Sequence, residues 1–501
     1  GENPLPPIQA APDLHNHIQF DESIPEEERA YFGYGRVSGI LPYRVQDQYN
    51  RRQQPKDFPC AVLENDHLRA VFLPQFGGKL WSLYDKDHQR DLLYVNPVFQ
   101  PANLALRNAW TCGGVEWNIG MTGHTPYTLS PLHTAVLSLD DGTPVLRMYE
   151  WERIRRVSYQ IDAYLPADSR FLFVRIRLRN TSGEETPIYW WSNIAVDETP
   201  GTRVLAPAQK AFCFGYEGKL AKRQVPVWDN IDHSYTTRVP HSMAIFFDIP
   251  ANNRKWEAAL DAEGKGLVQT STSRLQGRKL FMWGNSAGGQ HWQEFLAAPG
   301  KAYLEIQAGL AHTQMEHLPM PADAAWEWME AYGFLESDPE KVHSADWQTA
   351  CQTVETDLEK LLPQGFLEQE LRRTEQALSA SAPVRSLGSG WAALELRRLK
   401  AETHFSGESA AFSPKSLGTD QKPWLSLLEE GSFPPLEPDQ APAAFVTQKE
   451  WIPLLEKAAS QPASDHWHTW FQLGVMYDAQ GELGHARRAF EASIARTPNG
   501  W

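Results

Sequence analysis

The chain is 501 residues long, carries a formal net charge of -15 and is 42% hydrophobic. Its length suits two or three folded units, and its hydrophobic fraction is typical of a globular rather than a disordered chain. The negative charge disfavours nucleic acid as a partner, because it repels the phosphate backbone. No apolar run reaches the roughly 18 residues that a membrane-spanning helix needs, so we expect no membrane association.

Residues 1–56 are interpreted as an N-terminal extension. Residues 1–14 are Pro-rich and lack a basic region followed by an apolar run, so no signal peptide is predicted. The cysteines at positions 60, 112, 213 and 351 form no C-x-x-C pair, which argues against a disulfide framework and against a structural zinc site. We therefore expect a cytoplasmic protein with four buried thiols, no cofactor and no bound metal.

Residues 57–334 are predicted to form one β-domain. Residues 171–179 alternate apolar side chains on one face with arginines on the other, which is typical of an antiparallel strand that covers a core. Similar segments occur at 68–73, 79–84, 145–149, 159–165, 188–196, 243–247 and 303–308, and no long stretch of helical period intervenes. So many strands predict a large antiparallel two-sheet sandwich.

The 19 tryptophans are more than core packing alone normally uses. Flat aromatic faces match the apolar C–H faces of pyranose rings, so a Trp-rich concave surface indicates sugar binding. A large β core stocked with aromatic side chains is the alternative explanation.

Residues 112–126 (CGGVEWNIGMTGHTP) form the densest candidate site. Four glycines there let the backbone approach a ligand closely. Glu116, Trp117, Asn118 and His124 together offer a carboxylate, an indole, an amide and an imidazole, which suit a sugar. Alternatively, Glu116 only satisfies backbone donors in a glycine-rich loop.

Residues 187–198 (PIYWWSNIAVDE) form the second candidate. On a strand, Trp190 and Trp191 point to opposite faces, so only one is expected in the core and the other is a candidate sugar contact. Asn193 lies on the same side as Trp191. A purely structural role for the segment remains the alternative.

Residues 303–317 (YLEIQAGLAHTQMEH) form the third candidate. Glu305 and Gln307 share one strand face, and a carboxylate on an inward face is costly to bury unless it is paired or functional. Gln314 and Glu316 follow in a loop, and Trp283 precedes the strand as a wall of the same cleft. A structural Glu305 in a salt bridge is the alternative.

After residue 334 the period becomes helical. Residues 335–380 are predicted to hold two helices, at 347–361 with Ser344 as N-cap and at 366–378. Residues 381–460 are interpreted as a linker and irregular region, because 379–389 and 431–444 are rich in Ser, Pro or Gly.

Residues 461–501 match the spacing of a tetratricopeptide repeat at seven positions. The matching residues are Trp470, Leu473, Gly474, Tyr477, Ala486, Phe490 and Pro498. One such repeat depends on stacked neighbours, so we expect the natural protein to continue beyond residue 501. The repeat face is expected to bind a protein partner or to mediate self-association.

Three features resemble the galactose-mutarotase-like β-supersandwich of the aldose epimerases. Residues 73–86 are similar to its opening strand pair, residues 303–307 to the strand that carries the epimerase catalytic glutamate, and residues 326–328 to its closing strand. From 57 to 501 the chain also looks like an uncharacterised bacterial domain family of this fold that is fused to tetratricopeptide repeats. One departure is Tyr189, which stands where the epimerases carry a histidine.

The resemblance and the motifs together favour a carbohydrate-active enzyme that acts on an oligosaccharide or a monosaccharide. The leading hypothesis is a glycoside hydrolase or transglycosylase, with Glu305 as base or nucleophile, Glu116 as proton donor and His124 orienting Glu116 or binding a hydroxyl. The first alternative is an aldose 1-epimerase, in which Glu305 and His124 act as base and acid. The second is a non-catalytic sugar-binding scaffold whose repeats recruit partners.

Overall fold

The computed structural model describes residues 1–8, 18–215, 217–405, 407 and 409–501. Residues 9–17 include part of the segment for which no signal peptide is predicted, and they lie outside the described residues. No helix in the described part of the chain has both the length and the apolar character needed to cross a membrane.

Twenty-five strands and ten α-helices make up the described structure. The first twelve strands are β1 (Gln19–Phe20), β2 (Ala61–Glu64), β3 (Leu68–Leu73), β4 (Lys79–Asp85), β5 (Arg90–Asp91), β6 (Val115–Ile119), β7 (His133–Ser138), β8 (Pro144–Glu152), β9 (Val157–Tyr164), β10 (Phe171–Asn180), β11 (Thr186–Ile188) and β12 (Trp190–Asp197). The others are β13 (Arg203–Leu205), β14 (Lys210–Gly215), β15 (Lys219–Gln224), β16 (Val227–Trp228), β17 (Ile231–Asp232), β18 (Met243–Phe247), β19 (Lys255–Leu260), β20 (Lys265–Ser271), β21 (Gly277–Met282), β22 (Tyr303–Gly309), β23 (Leu318–Met320), β24 (Ala325–Glu336) and β25 (Val384–Ser386).

The helices are α1 (Ala287–Leu296), α2 (Pro339–Val342), α3 (Trp347–Leu361), α4 (Phe366–Arg373), α5 (Glu375–Leu378), α6 (Trp391–Arg398), α7 (Lys422–Glu430), α8 (Ile452–Ala459), α9 (Trp467–Ala479) and α10 (Leu483–Arg496). Short 3-10 helices occur at Glu26–Arg29, Thr236–Arg238, Pro414–Ser416 and Lys449–Trp451. Helix α1 was not predicted from the sequence, because it contains Gly288 and Gly289 and glycine has a low helix propensity.

Two large sheets form the predicted antiparallel sandwich. One has twelve strands in the order β1-β15-β14-β18-β21-β22-β12-β6-β4-β3-β2, with β5 beside β4. The other has nine in the order β13-β19-β20-β24-β10-β9-β8-β7-β25. Apolar side chains from both sheets share one core, in which the Trp190 ring meets that of Trp328 at 5.4 Å between centroids. The mainly β fold class with a helical C-terminal region is therefore confirmed.

A buried carboxylate joins the two sheets inside this core. Glu330 on β24 is fully buried and accepts hydrogen bonds from Ser192 on β12 at 2.9 Å and from Tyr332 at 2.6 Å. Trp328 and Gln269 also donate to it, at 3.1 Å and 3.2 Å. Three of these donors lie in the nine-stranded sheet with Glu330, and the bond from Ser192 is the one that links β12 to that sheet.

The C-terminal helices cover the outer face of the nine-stranded sheet. Arg175 on β10 donates to the carbonyl of Leu371 at 2.8 Å and to the hydroxyl of Thr374 at 3.0 Å. Arg147 on β8 forms a bidentate pair with Asp162, at 2.7 Å and 2.9 Å, and also donates to the carbonyl of Ala380. The polar face of these strands is therefore an interface with the helices rather than a solvated surface.

The interpretation of residues 381–460 as a linker and irregular region is wrong. The stretch contains α6, α7 and α8, and β25 extends the nine-stranded sheet beside β7. Trp391, Trp424 and Trp451 are buried in a second apolar core that also takes in Trp151 of the sandwich. The prediction rested on the loop-like composition of residues 379–389 and 431–444, and the helices lie between and after these two stretches.

The predicted helices after residue 334 are found with two local differences. The N-cap of α3 is Asp346, whose carboxylate accepts from the backbone N–H of Gln348 at 3.1 Å, and not Ser344. The second predicted helix is divided at Thr374 into α4 and α5. The expectation of four buried thiols is corrected at Cys60, which is exposed, and at Cys351, which is half-buried, while all four cysteines are free.

The last two helices form the pair that the tetratricopeptide spacing predicts. Gly474 of α9 faces Phe490 of α10, and a Cβ placed on Gly474 would lie 2.5 Å from the Phe490 ring. The two helices approach each other this closely because position 474 has no side chain.

We predict that Gly474→Ala destabilises the helix pair. Alanine is the better helix former by about 1 kcal/mol, but a Cβ overlapping a packed ring costs about 1–3 kcal/mol and outweighs that gain. Gly484→Ala in α10 is the matched control, because only the end of the Arg488 side chain comes near and no clash arises. Thermal unfolding should show a lower Tm for Gly474→Ala only, and an unchanged Tm for that variant would contradict this packing.

Candidate functional site

Four adjacent strands in the middle of the twelve-stranded sheet present the candidate site. They lie in the order β21-β22-β12-β6. Alternate residues of each strand point into the sandwich core, as Leu280, Ile306, Ile194 and Val115 do. The residues between them lie on the outer face of the sheet, which the nine-stranded sheet does not cover.

A polar row crosses these four strands on the outer face. Asn193 of β12 lies directly opposite Glu116 of β6 and opposite Gln307 of β22. Gln307 in turn lies opposite Lys279 of β21. Glu305 is on the same face two residues before Gln307. The register therefore brings together residues from the three motifs that the sequence singled out.

Hydrogen bonds link the β21 and β22 end of the row. The Lys279 ammonium donates to Gln314 Oε1 at 2.6 Å, Gln314 Nε2 donates to Gln307 Oε1 at 2.6 Å, and Gln307 Nε2 donates to Glu305 Oε2 at 2.7 Å. Within the described residues, no hydrogen bond reaches the other carboxylate oxygen of Glu305. The chain of donors orients the Glu305 carboxyl and leaves Oε1 for a ligand.

Glu116 at the other end of the row is held by three donors. Its Oε2 accepts from Trp110 Nε1 at 3.0 Å and contacts His124 Nδ1 at 2.7 Å. Its Oε1 accepts from the hydroxyl of Thr128. His124 and Thr128 both lie in the loop between β6 and β7, so the glycine-rich motif folds back over its own strand.

The two carboxyls have opposite pKa shifts. Burial raises the pKa of Glu305, which is 6% exposed, and the nearby charges of Lys279 and His124 only partly oppose this effect. Burial also acts on Glu116, but the charge and hydrogen bond of His124, with Lys79 and Thr128, lower its pKa to about 2. A carboxyl with such a low pKa is ionised at neutral pH, which argues against the predicted role of Glu116 as proton donor.

Three tryptophans that were candidate sugar contacts are core residues. Trp117 and Trp190 lie in the core between the two sheets. Trp191 lies on the outer face but is also fully buried, and a Cβ on Gly309 would lie 2.2 Å from its ring. The expectation that only one of the Trp190 and Trp191 side chains is buried is wrong, because the outer face of β12 has its own apolar cover.

The remaining candidate residues, Asn118, Glu316 and Trp283, have different positions and partners. Asn118 accepts from the Thr125 backbone N–H at 2.7 Å and is buried beneath the loop. Glu316 accepts from the backbone and hydroxyl of Thr313, both at 2.8 Å, so it holds its own loop, and burial raises its pKa to about 7. Trp283 is half-buried at the edge of the site, and its Nε1 donates to the Tyr303 hydroxyl at 3.0 Å.

Two buried lysines near the polar row, Lys79 and Lys279, were not predicted from the sequence. Lys79 donates to the carbonyls of Thr111 and Gly113, at 2.6 Å and 3.1 Å, and burial lowers its pKa. Burial likewise lowers the pKa of Lys279 to about 8. The alternation of residues 277–282 (GRKLFM) places Lys279 on the strand face opposite to that of Leu280. This pattern could have identified Lys279 as a residue of the outer face. Within the described residues, the site included, no group of three or more His, Cys, Asp or Glu side chains is arranged to hold a metal.

We predict that Trp191→Ala and Trp283→Ala differ sharply in stability. Removing the fully buried Trp191 side chain should lower the free energy of unfolding by about 3–5 kcal/mol. Removing the half-buried Trp283 should cost less than about 2 kcal/mol. Denaturant unfolding of both variants measures the difference, and equal losses would contradict the assignment of Trp191 to the core.

Known proteins were compared with this chain in structure and in sequence. The crystal structure of a TPR-domain containing protein from Parabacteroides distasonis aligns with 92% of this chain and with 76% of its own chain, at 17% sequence identity. The TM-score of 0.63 shows that the two share a fold. Galactose mutarotase-like proteins from Clostridium acetobutylicum and Lactobacillus casei cover 55% of this chain, with TM-scores of 0.44 and 0.40 and identities of 11% and 9%. They cover 95% and 100% of their own lengths. The model of a family described as "Domain of unknown function (DUF5107)" matches residues 35–324, more than half of the chain, so the chain belongs to that family.

Proposed function

We propose that this protein is a sugar-acting enzyme that interconverts the anomers of an aldose, with Glu305 as base and His124 as acid. One observation carries the proposal. A buried carboxyl of raised pKa lies close to a histidine that a separate, ionised carboxylate holds in place. Groups of this kind suit general acid–base catalysis near neutral pH.

The Glu116 contact determines which His124 nitrogen can act. The pKa of Glu116 is about 2, so its carboxylate carries no proton and can only accept. His124 Nδ1, 2.7 Å away, must therefore be the donor. This leaves Nε2 to exchange a proton with substrate, and the Trp110 ring at 4.9 Å limits how the imidazole can turn.

The proposed reaction opens and recloses the sugar ring. The Glu305 carboxylate takes the proton of the anomeric hydroxyl while His124 Nε2 gives a proton to the ring oxygen. The bond from C1 to the ring oxygen breaks and C1 becomes an aldehyde. After rotation about C1–C2, His124 Nε2 takes its proton back from the hydroxyl that was the ring oxygen, and that oxygen re-forms its bond to C1. Glu305 returns its proton to the aldehyde oxygen, so no cofactor or net redox change is needed.

The amide side chains of the row suit the recognition of hydroxyls. Asn193 is buried at the centre of the row, and its Oδ1 has no hydrogen-bond partner among the described residues. An unpaired buried amide oxygen is costly unless a ligand donates to it. Tyr189, which replaces the epimerase histidine, has its pKa raised by burial, and its hydroxyl accepts from the Gly123 N–H at 3.3 Å. It therefore supports the loop that carries His124.

A glycoside hydrolase remains the second candidate, with the two roles exchanged. The opposite pKa shifts favour it, because hydrolysis needs one carboxyl that is protonated and one that is ionised. Glu305 would then be the acid and Glu116 the base or nucleophile. The three hydrogen bonds that occupy Glu116 argue against this assignment, since a nucleophile needs a free oxygen.

We predict that Glu305→Gln and His124→Gln each slow anomer interconversion by at least about a hundredfold, because each removes a proton-transfer group. The measurement is the approach of freshly dissolved aldoses to anomeric equilibrium, followed by polarimetry with a panel of hexoses and pentoses. His485→Gln, which changes an exposed histidine on α10, is the matched control and should keep full activity.

Product analysis separates the two candidate reactions. Release of new reducing ends from oligosaccharides, lost in both Glu305→Gln and Glu116→Gln, would establish the hydrolase instead. Full anomerase activity in Glu305→Gln, with an unchanged Tm, would exclude Glu305 from the chemistry altogether.

We predict that Lys279→Met moves the acid limb of the pH profile of kcat/KM to higher pH. Activity requires ionised Glu305, so it falls as the pH drops through the Glu305 pKa, which burial raises above its ordinary value of 4.5. The Lys279 charge lowers that pKa, so its removal must raise it further. Lys301→Met, on an exposed lysine, should leave the limb in place. A limb that stays put or moves to lower pH in Lys279→Met would contradict the role of Glu305 as base.

A further inference from the structure

Four aromatic side chains form a continuous strip that leads from the candidate site to the surface. The strip consists of Phe281, Trp283, Trp292 and Phe295. The Phe281 and Trp283 centroids are 5.0 Å apart, those of Trp283 and Trp292 5.5 Å, and those of Trp292 and Phe295 5.8 Å. The first two residues belong to or follow β21, and the last two lie on α1.

The inner end of the strip lies beside Glu305 on the outer face of the twelve-stranded sheet. Phe281 lies directly opposite Glu305 across the β21–β22 pair, so their Cβ atoms are about 5 Å apart. Trp283 is tied to the same strand as Glu305 through its hydrogen bond to the Tyr303 hydroxyl at 3.0 Å. A ligand whose reacting atom lies at Glu305 therefore has aromatic surface beside it in one direction.

The outer end of the strip is exposed and rigidly held. Trp292 is 40% exposed and Phe295 39% exposed, although both side chains are large and apolar. Trp283 stacks on Trp292 at an interplanar angle of 19°, and the Arg51 guanidinium lies 4.0 Å from the Phe295 ring centroid. Exposed polar residues, His291 and Glu294, flank Trp292 on the same helix. Aromatic faces bordered by hydrogen-bonding groups suit a sugar ring, which has apolar faces and polar edges.

The exposed area is too small for a stable protein interface. Such an interface buries about 800 Å² on each partner, whereas only two side chains of the strip are exposed. We propose that the aromatic strip is a second sugar subsite, so that the substrate is the reducing-end sugar of an oligosaccharide, an outer unit of which stacks on Trp292. This inference rests on the proposed function, because it takes Glu305 as the position of the reacting sugar.

The test compares chain lengths in binding. The Glu305→Gln variant, which holds ligand without turnover, is titrated by calorimetry with glucose, xylose, mannose and galactose and with the di- to tetrasaccharides of gluco-, xylo-, manno- and galacto- series. In at least one series the oligosaccharide should bind about tenfold more tightly than its monosaccharide. Adding Trp292→Ala should abolish that gain. Adding Phe366→Ala, which removes an aromatic side chain of similar exposure (36%) on α4, should not.

Three results would overturn the subsite: no gain with chain length in any series, a gain that survives Trp292→Ala, or a change from dimer to monomer in Trp292→Ala by light scattering. The last would make the strip a self-association surface. Failure of the proposed function is distinguishable, because the wild-type protein would then show the chain-length gain without interconverting anomers. Anomer interconversion without a chain-length gain would instead remove the subsite and leave the proposed function intact.

Discussion

The register of β12 between β6 and β22 is the constraint on which the site depends. Asn193 faces Glu116 on one side and Gln307 on the other because these three strands pair in one particular alignment. A shift of one residue would turn Asn193 toward the core and Ile194 outward. The hydrogen bond from Ser192 to Glu330 opposes such a shift, because a shift of one residue would turn Ser192 away from the core and remove one donor from a buried carboxyl.

Local alternation made the architecture predictable. Predicted strands such as 171–179 and 303–308 lie within β10 and β22, and Glu305 and Gln307 share a face as the period of two requires. The pairing of Asn193 with Glu116 was not predictable, since it joins residues 77 positions apart whose register is set by the whole sheet. Sequence patterns therefore identified the members of the site but not its geometry.

The chemistry of the site depends on groups that no local pattern identifies. Glu116 and Glu305 are both strand carboxylates, yet their pKa values shift in opposite directions because His124 and Thr128 form hydrogen bonds with Glu116 and not with Glu305. The same limitation applies to the tryptophans. Trp191 on β12 and Trp283 just after β21 look alike in the sequence. The Trp191 ring is buried because glycines 277 and 309 leave room for it and an apolar cluster covers it.

Two short strands outside residues 57–334 cover edges of the sandwich. β1, near the start of the described chain, pairs with β15 at one edge of the twelve-stranded sheet, and β25, beyond residue 380, pairs with β7 at one edge of the nine-stranded sheet. Unpaired edge strands recruit other chains and lead to aggregation. A fragment cut to residues 57–334 would expose both β15 and β7. The β-domain predicted from the strand pattern, residues 57–334, is thus smaller than the part of the chain that protects the sheet edges from association.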